Sequence, residues 1–218
     1  KAGDAYLDSK RGKSNQLAIF IDSTGRCYSL QAHTLPSARG QGEPLTGRLS
    51  PPPGATFRGL IMGDPNELCL LSTDQGYGFV VKLEDIITRN KKGKAVLKVP
   101  DGAKVLPPVL VKDMETHWVA AATNEGRLLI HHIEELPILP RGKGVKIINI
   151  PTARAKSREE FVTALTVIDE DDSIVIHSGK RHKVLKPEDM EHYEGERAQR
   201  GHKLPQGFRS VERMLPEE

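Results

Sequence analysis

Apolar runs recur along the chain in pairs, and a short polar turn that ends in glycine separates the two runs of each pair. The four pairs are "AIFIDSTGRCYSL", "CLLSTDQGYGFVV", "VAAATNEGRLLIH" and "SIVIHSGKRHKVL". Two short apolar runs around a glycine turn are typical of a β-hairpin, because glycine supplies the positive φ that such turns demand. The turn glycines, Gly25, Gly76, Gly126 and Gly179, are 51, 50 and 53 residues apart. The pattern therefore predicts four repeats with a period of ~50 residues.

Three further kinds of segment recur with the same period as the hairpins. An acidic one-turn element follows three of the hairpins, in "KLEDI", "HIEEL" and "KPEDM", and "AHTLP" takes its place in the first repeat. Upstream, Gly3, Gly54 and Gly102 each precede a further strand-like run, here called the leading strand. Downstream comes a basic, glycine-containing segment, and Gly42, Gly93 and Gly144 in these segments are 51 residues apart. We call these segments links 1 to 4, at residues 37–49, 88–99, 139–150 and 195–209.

One repeat thus contains a leading strand, a hairpin and a link with a further strand, which makes four strands. Four strands per unit is typical of a propeller blade, so we expect an all-β, propeller-like fold. Alternation of apolar and polar positions is weak, as expected if both faces of each small sheet pack against neighbours. Helix content should be low. We divide the single predicted domain, residues 1–218, into repeats at 1–51, 52–99, 100–150 and 151–214.

The charge is distributed unevenly along the chain, although the net charge of the 218 residues is only +3. The four links, with residues 1–14 and 179–186, carry +18, so the remainder carries about −15. Clustered lysine and arginine suits a polyanionic partner. Only 5% of residues are aromatic, and the links offer no stacking platform for single strands, so duplex DNA is the favoured partner.

Duplex DNA is held mainly through its phosphates, by lysine, arginine, backbone N–H groups and small residues that permit close approach. Successive links on a wheel would lie at successive angles on its rim, giving a curved basic track that favours bent DNA. The candidate DNA-binding residues are Arg39, Arg48, Arg89, Lys91, Lys92, Lys94, Arg141, Lys143, Lys146, Lys180, Arg181, Arg197, Arg200 and Lys203.

Other site chemistries are less favoured. The stretch "GQGEPLTGR" has the glycine spacing of a phosphate-binding loop, but Arg48 and Leu49 stand where lysine and a hydroxyl are needed, and Pro44 removes a donor. His131 and His132 would point to opposite faces of a strand, so no metal site is expected there. The acidic run 169–172 is expected to be a solvated loop.

Structural roles are expected for the tryptophan and the cysteines. Trp118 begins the third hairpin and is expected in the core, and Cys27 and Cys69 lie in apolar runs. Buried thiols are typical of a reducing compartment, which favours a cytoplasmic location. The segment 187–196 is left open between a surface helical turn and a partner contact.

The stretch "GKSNQLAIFIDSTGRCYSLQAHTLPSARGQGEPLTGRL", with "RGKGVKIINIP", resembles the C-terminal domain of the A subunit of bacterial DNA topoisomerase IV. The resemblance covers the whole chain. It implies a β-pinwheel, a propeller variant whose neighbouring blades exchange strands, that binds duplex DNA along a basic outer rim. The family domain usually has five blades, so the four repeats seen here imply an open ring or a fragment of a five-bladed domain.

The related gyrase domain carries a Gln-Arg-Arg-Gly-Gly-Arg/Lys-Gly box that wraps DNA. In this chain Arg39 and Gly40 match the centre of the box, whereas Ser37, Ala38 and Gln41 do not. The resemblance therefore does not imply strong, gyrase-like wrapping.

The function that the resemblance implies is that of a non-catalytic DNA-binding domain of an ATP-dependent type II topoisomerase, an isomerase that relaxes supercoils and separates daughter chromosomes. The family's cleavage tyrosine follows an arginine, and no tyrosine of this chain does, so the cleavage core is expected outside it. No cofactor is expected in this chain, and ATP and Mg²⁺ would be used elsewhere in the enzyme.

The resemblance also implies partners. They are duplex DNA, the N-terminal part of the same polypeptide, and the other members of an A2B2 heterotetramer, which are a second A subunit plus two B subunits. A chromosome-condensation protein is a further implied partner. The enzyme would be cytoplasmic and chromosome-associated, and peripheral association with the inner membrane is left open. The alternative function is a propeller-like protein-interaction module whose basic rim binds an acidic protein.

Overall fold

Four β-hairpins form at the four pairs of apolar runs. The computed structural model describes residues 2–217. The hairpins are formed by β1 (Leu17–Asp22) with β2 (Arg26–Gln31), β4 (Leu68–Ser72) with β5 (Tyr77–Lys82), β8 (His117–Thr123) with β9 (Arg127–His132), and β12 (Ile174–Ser178) with β13 (Arg181–Leu185). The hairpin prediction is confirmed in all four repeats.

The remaining strands lie between the hairpins and come in two kinds. The leading strands are β3 (Phe57–Gly63), β7 (Val109–Val111), β11 (Val162–Asp169) and β15 (Arg213–Pro216). The leading strand predicted after Gly3 is wrong, because residues 4–13 form no strand. The strands of the links are two residues long and comprise β6 (Lys94–Ala95), β10 (Val145–Lys146) and β14 (His202–Lys203).

Helices are few and short, as predicted. The α-helices are α1 (Thr152–Lys156) and α2 (Pro187–Met190). Single 3₁₀ turns occupy Ala32–Thr34, Leu45–Gly47, Leu83–Asp85, Ile133–Glu135 and Glu191–Tyr193. The one-turn elements predicted after three of the hairpins are thus confirmed at 83–85, at 133–135 and as α2, and the first hairpin is followed by a similar turn at 32–34. Within residues 2–217, no helix is long and apolar enough to cross a membrane.

The strands form four antiparallel sheets, which we call blades 1 to 4. Their strand orders are β3-β1-β2-β6, β7-β4-β5-β10, β11-β8-β9-β14 and β15-β12-β13. Each hairpin is flanked by strands that come later in the chain, a leading strand on one side and, in blades 1 to 3, a link strand on the other. In the described residues blade 4 has only three strands, and the outer edge of β13 is unpaired.

A blade therefore does not coincide with one sequence repeat, and the reading of one repeat as one blade is corrected. The segment after β5 leaves its own sheet and reaches blade 1, where the Thr88 amide donates to Ser29 Oγ at 3.2 Å before the chain pairs with β2 as β6. This is the strand exchange that the resemblance implied. The boundaries of the four repeats and the assignment of residues 1–218 to a single domain remain predictions from the sequence.

Apolar side chains fill the spaces between consecutive blades. In β1, Ile19 and Ile21 pack against blade 2, whereas Ala18 and Phe20, on the other face, pack with Leu49. Both faces of the hairpin strands are thus buried, which confirms the explanation for the weak alternation. Further clusters lie between blades 2 and 3 and between blades 3 and 4.

The leading strands mark the inside of the wheel. Strand β11 lies beside β7 and β15, and β3 lies beside β7, although each belongs to a different sheet. The opposite edge of blades 1 to 3 carries the link strand. The links consequently lie on the outer rim.

Candidate nucleic-acid interface

Links 2, 3 and 4 are attached to their blades in the same way. Each supplies a two-residue strand that pairs with the first residues after a hairpin turn, at Arg26–Cys27, Tyr77–Gly78 and Arg127–Leu128. A backbone amide of each link also donates to the carbonyl of the turn glycine. These bonds run from Leu97 to Gly25 (3.0 Å), from Ile147 to Gly76 (2.7 Å) and from Leu204 to Gly126 (2.8 Å). Three basic segments therefore take equivalent places on three successive blades.

The residue after each turn glycine holds the link, and sequence reasoning missed this role. Arg26 donates from Nε to the Lys92 carbonyl at 2.9 Å and from Nη2 to the Gly93 carbonyl at 2.8 Å. Arg127 donates to the Gly201 carbonyl at 3.2 Å, and the ring of Tyr77 lies under Lys143 Nζ, 4.2 Å from its centroid. The signal available in the sequence was the constant position directly after the turn glycine.

The link glycines are required where the link crosses the hairpin. Gly93, Gly144 and Gly201 have φ of 76°, 82° and 70°. A Cβ at Gly144 would meet the carbonyl of Gly78, and one at Gly201 would meet the carbonyl of Leu128. The expected role of small residues in the links was close approach to DNA, whereas the structure shows close approach to the protein's own backbone.

Ten of the fourteen candidate residues are exposed. Two of the ten are oriented by contacts within the chain, since Lys94 Nζ donates to the Asp85 carbonyl at 2.6 Å and Lys143 lies over Tyr77. The exposed set is Arg39, Arg89, Lys91, Lys92, Lys94, Arg141, Lys143, Lys180, Arg181 and Lys203.

The other four candidates are partly buried and donate to protein groups. Arg48 donates to the carbonyl and hydroxyl of Thr34 at 3.0 and 2.7 Å. Lys146 donates to Asn149 Oδ1 at 3.1 Å, and Arg197 Nη1 donates to the Lys146 carbonyl at 2.9 Å. These donors already help to hold the links in place, and their contact with DNA stays a prediction.

The fourth of these residues, Arg200, binds a buried carboxylate. Its guanidinium donates to the Asn149 carbonyl at 2.6 Å and to Glu160 at 3.0 Å. Glu160 has 0% of its surface exposed, and it also accepts from Thr123 Oγ1 at 3.1 Å and from Arg154 Nε at 3.4 Å. A buried carboxylate needs such partners, so Glu160 anchors link 4 to the body of the wheel.

Link 1 differs from the other links because it pairs with no strand in the described residues. A Cβ at Gly42 would meet nothing within 4 Å. Leu45 and Leu49 instead pack on the outer face of blade 1, next to Phe20. With the bonds of Arg48 to Thr34, this packing makes link 1 a structural strap.

The histidine pair and the cysteines are placed as predicted. His131 is buried, while His132 is exposed and stacks on Trp118, so the two rings lie on opposite faces. Among residues 2–217 no three potential ligand side chains are close enough to hold a metal ion. Both cysteines are buried, and burial raises the pKa of Cys27 to about 12, so its thiol is not a reactive nucleophile.

The acidic run agrees with its expectation, whereas Trp118 lies at the edge of the core and not within it. Trp118 is partly buried and packs against the cluster between blades 3 and 4. Residues 170–173 form the turn between β11 and β12.

Comparisons with known proteins agree on the family. The model of the DNA gyrase C-terminal domain, a β-propeller, matches residues 67–112 and 117–175. The chain is similar to the A subunit of DNA topoisomerase 4 from Pseudomonas aeruginosa, with 54% identity over 99% of this chain and 28% of that protein. It is also similar to the solved C-terminal domain of E. coli ParC, with a TM-score of 0.85, 43% identity and coverage of 100% of this chain and 87% of that one. The solved C-terminal domain of DNA gyrase A is similar with a TM-score of 0.72, 15% identity and coverage of 94% of this chain and 67% of that one. At this low identity the similarity concerns the fold alone.

The fold and the arrangement of the links thus define a β-pinwheel of the type found in the A subunits of type II topoisomerases. The chain belongs to the family of C-terminal domains of the DNA topoisomerase IV A subunit. It spans about 28% of the length of the curated relatives that it matches.

Proposed function

We propose that this chain is a non-catalytic domain that binds duplex DNA along the outer rim of its wheel. The observation that carries the proposal is the repeated geometry of links 2, 3 and 4. Each is fixed at the outer edge of its blade by the same strand pairing and by the same bond to a turn glycine. Because these bonds fix the backbone of each link, its exposed lysine and arginine side chains lie at equivalent places on the three blades.

The rim suits phosphates rather than bases. The links carry exposed cations and few aromatic or amide side chains that could read base edges, so binding should depend little on sequence. Because consecutive blades are arranged around the wheel, a duplex that follows several links must curve. Bending costs energy that additional phosphate contacts repay, so bent or crossed DNA should bind better than straight DNA.

In the whole enzyme, we propose that this domain lets a type II topoisomerase sense the geometry of the DNA during decatenation and supercoil relaxation. The relatives named as A subunits of DNA topoisomerase 4 support this role. The cleavage tyrosine, ATP and Mg²⁺ would belong to other parts of an A2B2 assembly. A chromosome-condensation protein is a further proposed partner, and the enzyme would act in the cytoplasm on the chromosome.

The test is binding of a fluorescent 40-bp duplex, measured by anisotropy in about 0.1 M salt. The rim variant carries Arg89→Glu, Lys91→Glu and Lys92→Glu, three exposed link 2 positions whose side chains form no ion pair in the described residues. We expect its Kd to be at least about tenfold higher than that of the unmodified chain, because three phosphate contacts become repulsive.

A matched control carries Lys82→Glu, Lys112→Glu and Lys156→Glu, which are exposed, lie outside the links and change the net charge equally. It should weaken binding less than about threefold. Equal weakening in both variants would contradict a rim site. If polyglutamate of matched charge displaced the duplex efficiently, the alternative of an acidic protein partner would be favoured.

A further inference from the structure

A groove between blade 3 and the segment that follows β13 has the opposite charge to the rim. It has a volume of about 470 Å³ and is lined by residues of β8, β9 and β11 and by the segment from Pro187 to Glu194. This segment is the one that the sequence left open between a surface turn and a partner contact.

The floor of the groove is apolar and aromatic. Trp118 is partly buried and stacks on His132, with ring centroids 3.7 Å apart and an angle of 31° between the planes. Ile130, Ile168 and Met190 are buried around it. Such a floor offers a partner side chain both apolar contact and an aromatic face.

The walls of the groove are acidic. Glu170, Glu188, Glu191 and Glu194 line it, all four are exposed, and no lysine or arginine lies among the lining residues. In the described part of the chain none of these carboxylates accepts a side-chain hydrogen bond or forms a salt bridge. The nearest cation in sequence, Lys186, is exposed and precedes α2.

The groove lies away from the paired strand of link 4, although Glu194 directly precedes that link. Trp118 pairs with His132 at the end of the hairpin that is remote from the turn, whereas link 4 pairs with Arg127 and Leu128 beside the turn. Leu128 and His132 lie four positions apart along β9, which corresponds to roughly 13 Å. Phosphates on the rim would be repelled from the groove by its four carboxylates.

We propose that this groove binds a basic segment of a partner protein. A large apolar side chain of the segment packs on Trp118, and flanking lysine or arginine side chains pair with the glutamates. Charge complementarity selects a cationic partner and disfavours DNA, and the aromatic floor supplies the contact area of an interface centre. The domain would then hold DNA and a basic protein segment on different surfaces.

Trp118 is the only tryptophan of the chain, so its fluorescence reports directly on the groove. The probe is the capped peptide Lys-Lys-Leu-Leu-Lys-Lys, titrated to about 1 mM at low salt. We expect a saturable change in Trp118 emission. The capped peptides Glu-Glu-Leu-Leu-Glu-Glu and Lys-Lys-Gly-Gly-Lys-Lys should give no saturable change, since one lacks positive charge and the other lacks an apolar side chain.

Two variants with equal loss of negative charge locate the site. The groove variant, Glu188→Gln, Glu191→Gln and Glu194→Gln, should bind the first peptide at least about tenfold more weakly, because three ion pairs are lost. The control variant, Glu43→Gln, Glu84→Gln and Asp101→Asn, should bind it as the unmodified chain does. Unchanged duplex binding shows that the groove variant is folded.

Two results would overturn the proposal. One is the absence of a saturable fluorescence change with the lysine–leucine peptide, and the other is equal weakening in the two variants. Because neither result depends on rim lysines, failure here is distinguishable from failure of the DNA proposal.

Discussion

The link glycines show how a single missing side chain can determine where a basic segment lies. Gly144 has a positive φ of 82° and lies directly on the backbone of Gly78, which leaves no room for Cβ. Gly102 has a similar φ of 77° but open space around it. Comparing substitutions at Gly102 and Gly144 therefore separates the cost of an unfavourable φ from the cost of a steric clash.

We expect Gly102→Ala to lower the free energy of unfolding by about 1 kcal/mol, because only the left-handed conformation is penalised. Gly144→Ala should lower it by about 3 kcal/mol or more, because link 3 must also move away from Gly78. Urea denaturation measures both changes. Equal costs for the two substitutions would show that the close crossing does not matter.

A second residue-scale prediction concerns His131, whose burial lowers its pKa below the usual 6.5. Its Nδ1 lies 2.9 Å from the His132 carbonyl and 3.4 Å from Glu135 Oε2, and Arg197 also faces it. Glu135 favours the protonated ring, but desolvation and Arg197 oppose it. His131 is thus neutral in the fold at pH values where the unfolded chain binds a proton.

Because the unfolded state binds more protons, the free energy of unfolding should fall as the pH drops below about 6.5, by at most about 1.4 kcal/mol per pH unit from this group. His131→Asn keeps a donor near the position of Nδ1 but does not titrate. Urea denaturation at pH 7.5 and 5.5 should show a smaller loss of stability in this variant. The same loss in both proteins would contradict a neutral, buried His131.

Sequence reasoning identified the basic residues but not their environments. It placed Arg200 and Arg197 beside Lys91 as equivalent DNA contacts, yet both arginines donate to protein groups in the structure. Glu160, the buried partner of Arg200, is 40 residues away in the chain. Such pairs depend on which blades meet, and no local pattern encodes that.

At the element scale, links 2, 3 and 4 each behave as a short strand that is held by the hairpin of the preceding repeat. The two-residue strands alone are too short to be stable, so side chains such as Arg26 and Arg127 must contribute. Each of these arginines binds a different link, which makes each the control for the other.

Arg26→Ala should remove two hydrogen bonds to link 2, at a cost of about 1–2 kcal/mol to the attachment of that link. Hydrogen exchange of the Leu97 amide, which donates to Gly25, should become roughly tenfold faster, while that of Leu204 in link 4 stays unchanged. Arg127→Ala should give the reverse pattern. If neither substitution changed exchange in its own link, the proposed role of these arginines would be wrong.

The elements themselves were largely predictable, because glycine turns and apolar runs are local signals. The four hairpins, and the one-turn elements after three of them, were predicted from these local signals and their spacing. Local patterns could not indicate the partners of the leading and link strands, since pairing between β2 and β6 joins residues about 70 positions apart. Only the family resemblance implied that exchange.

At the scale of the whole molecule, strand exchange joins the blades, and the charged residues are distributed unevenly over the surface of the joined blades. In blades 1 to 3 the strands of one blade come from two repeats, so consecutive blades are covalently and sterically joined into one curved body. The cations collect on the outer links, while Glu170, Glu188, Glu191 and Glu194 border the groove beside blade 3. The protein thus has two surfaces of opposite charge, although its net charge is only +3.

The central claim is that several links contact one duplex at the same time. The most direct test measures Kd against salt concentration for the unmodified chain, the link 2 variant and the control variant. We predict a steep log–log plot for the unmodified chain, a slope shallower by about 3 for the variant with Arg89, Lys91 and Lys92 replaced by Glu, and an unchanged slope for the control variant. A flat salt response of the unmodified chain, or equal slopes for all three proteins, would contradict the account.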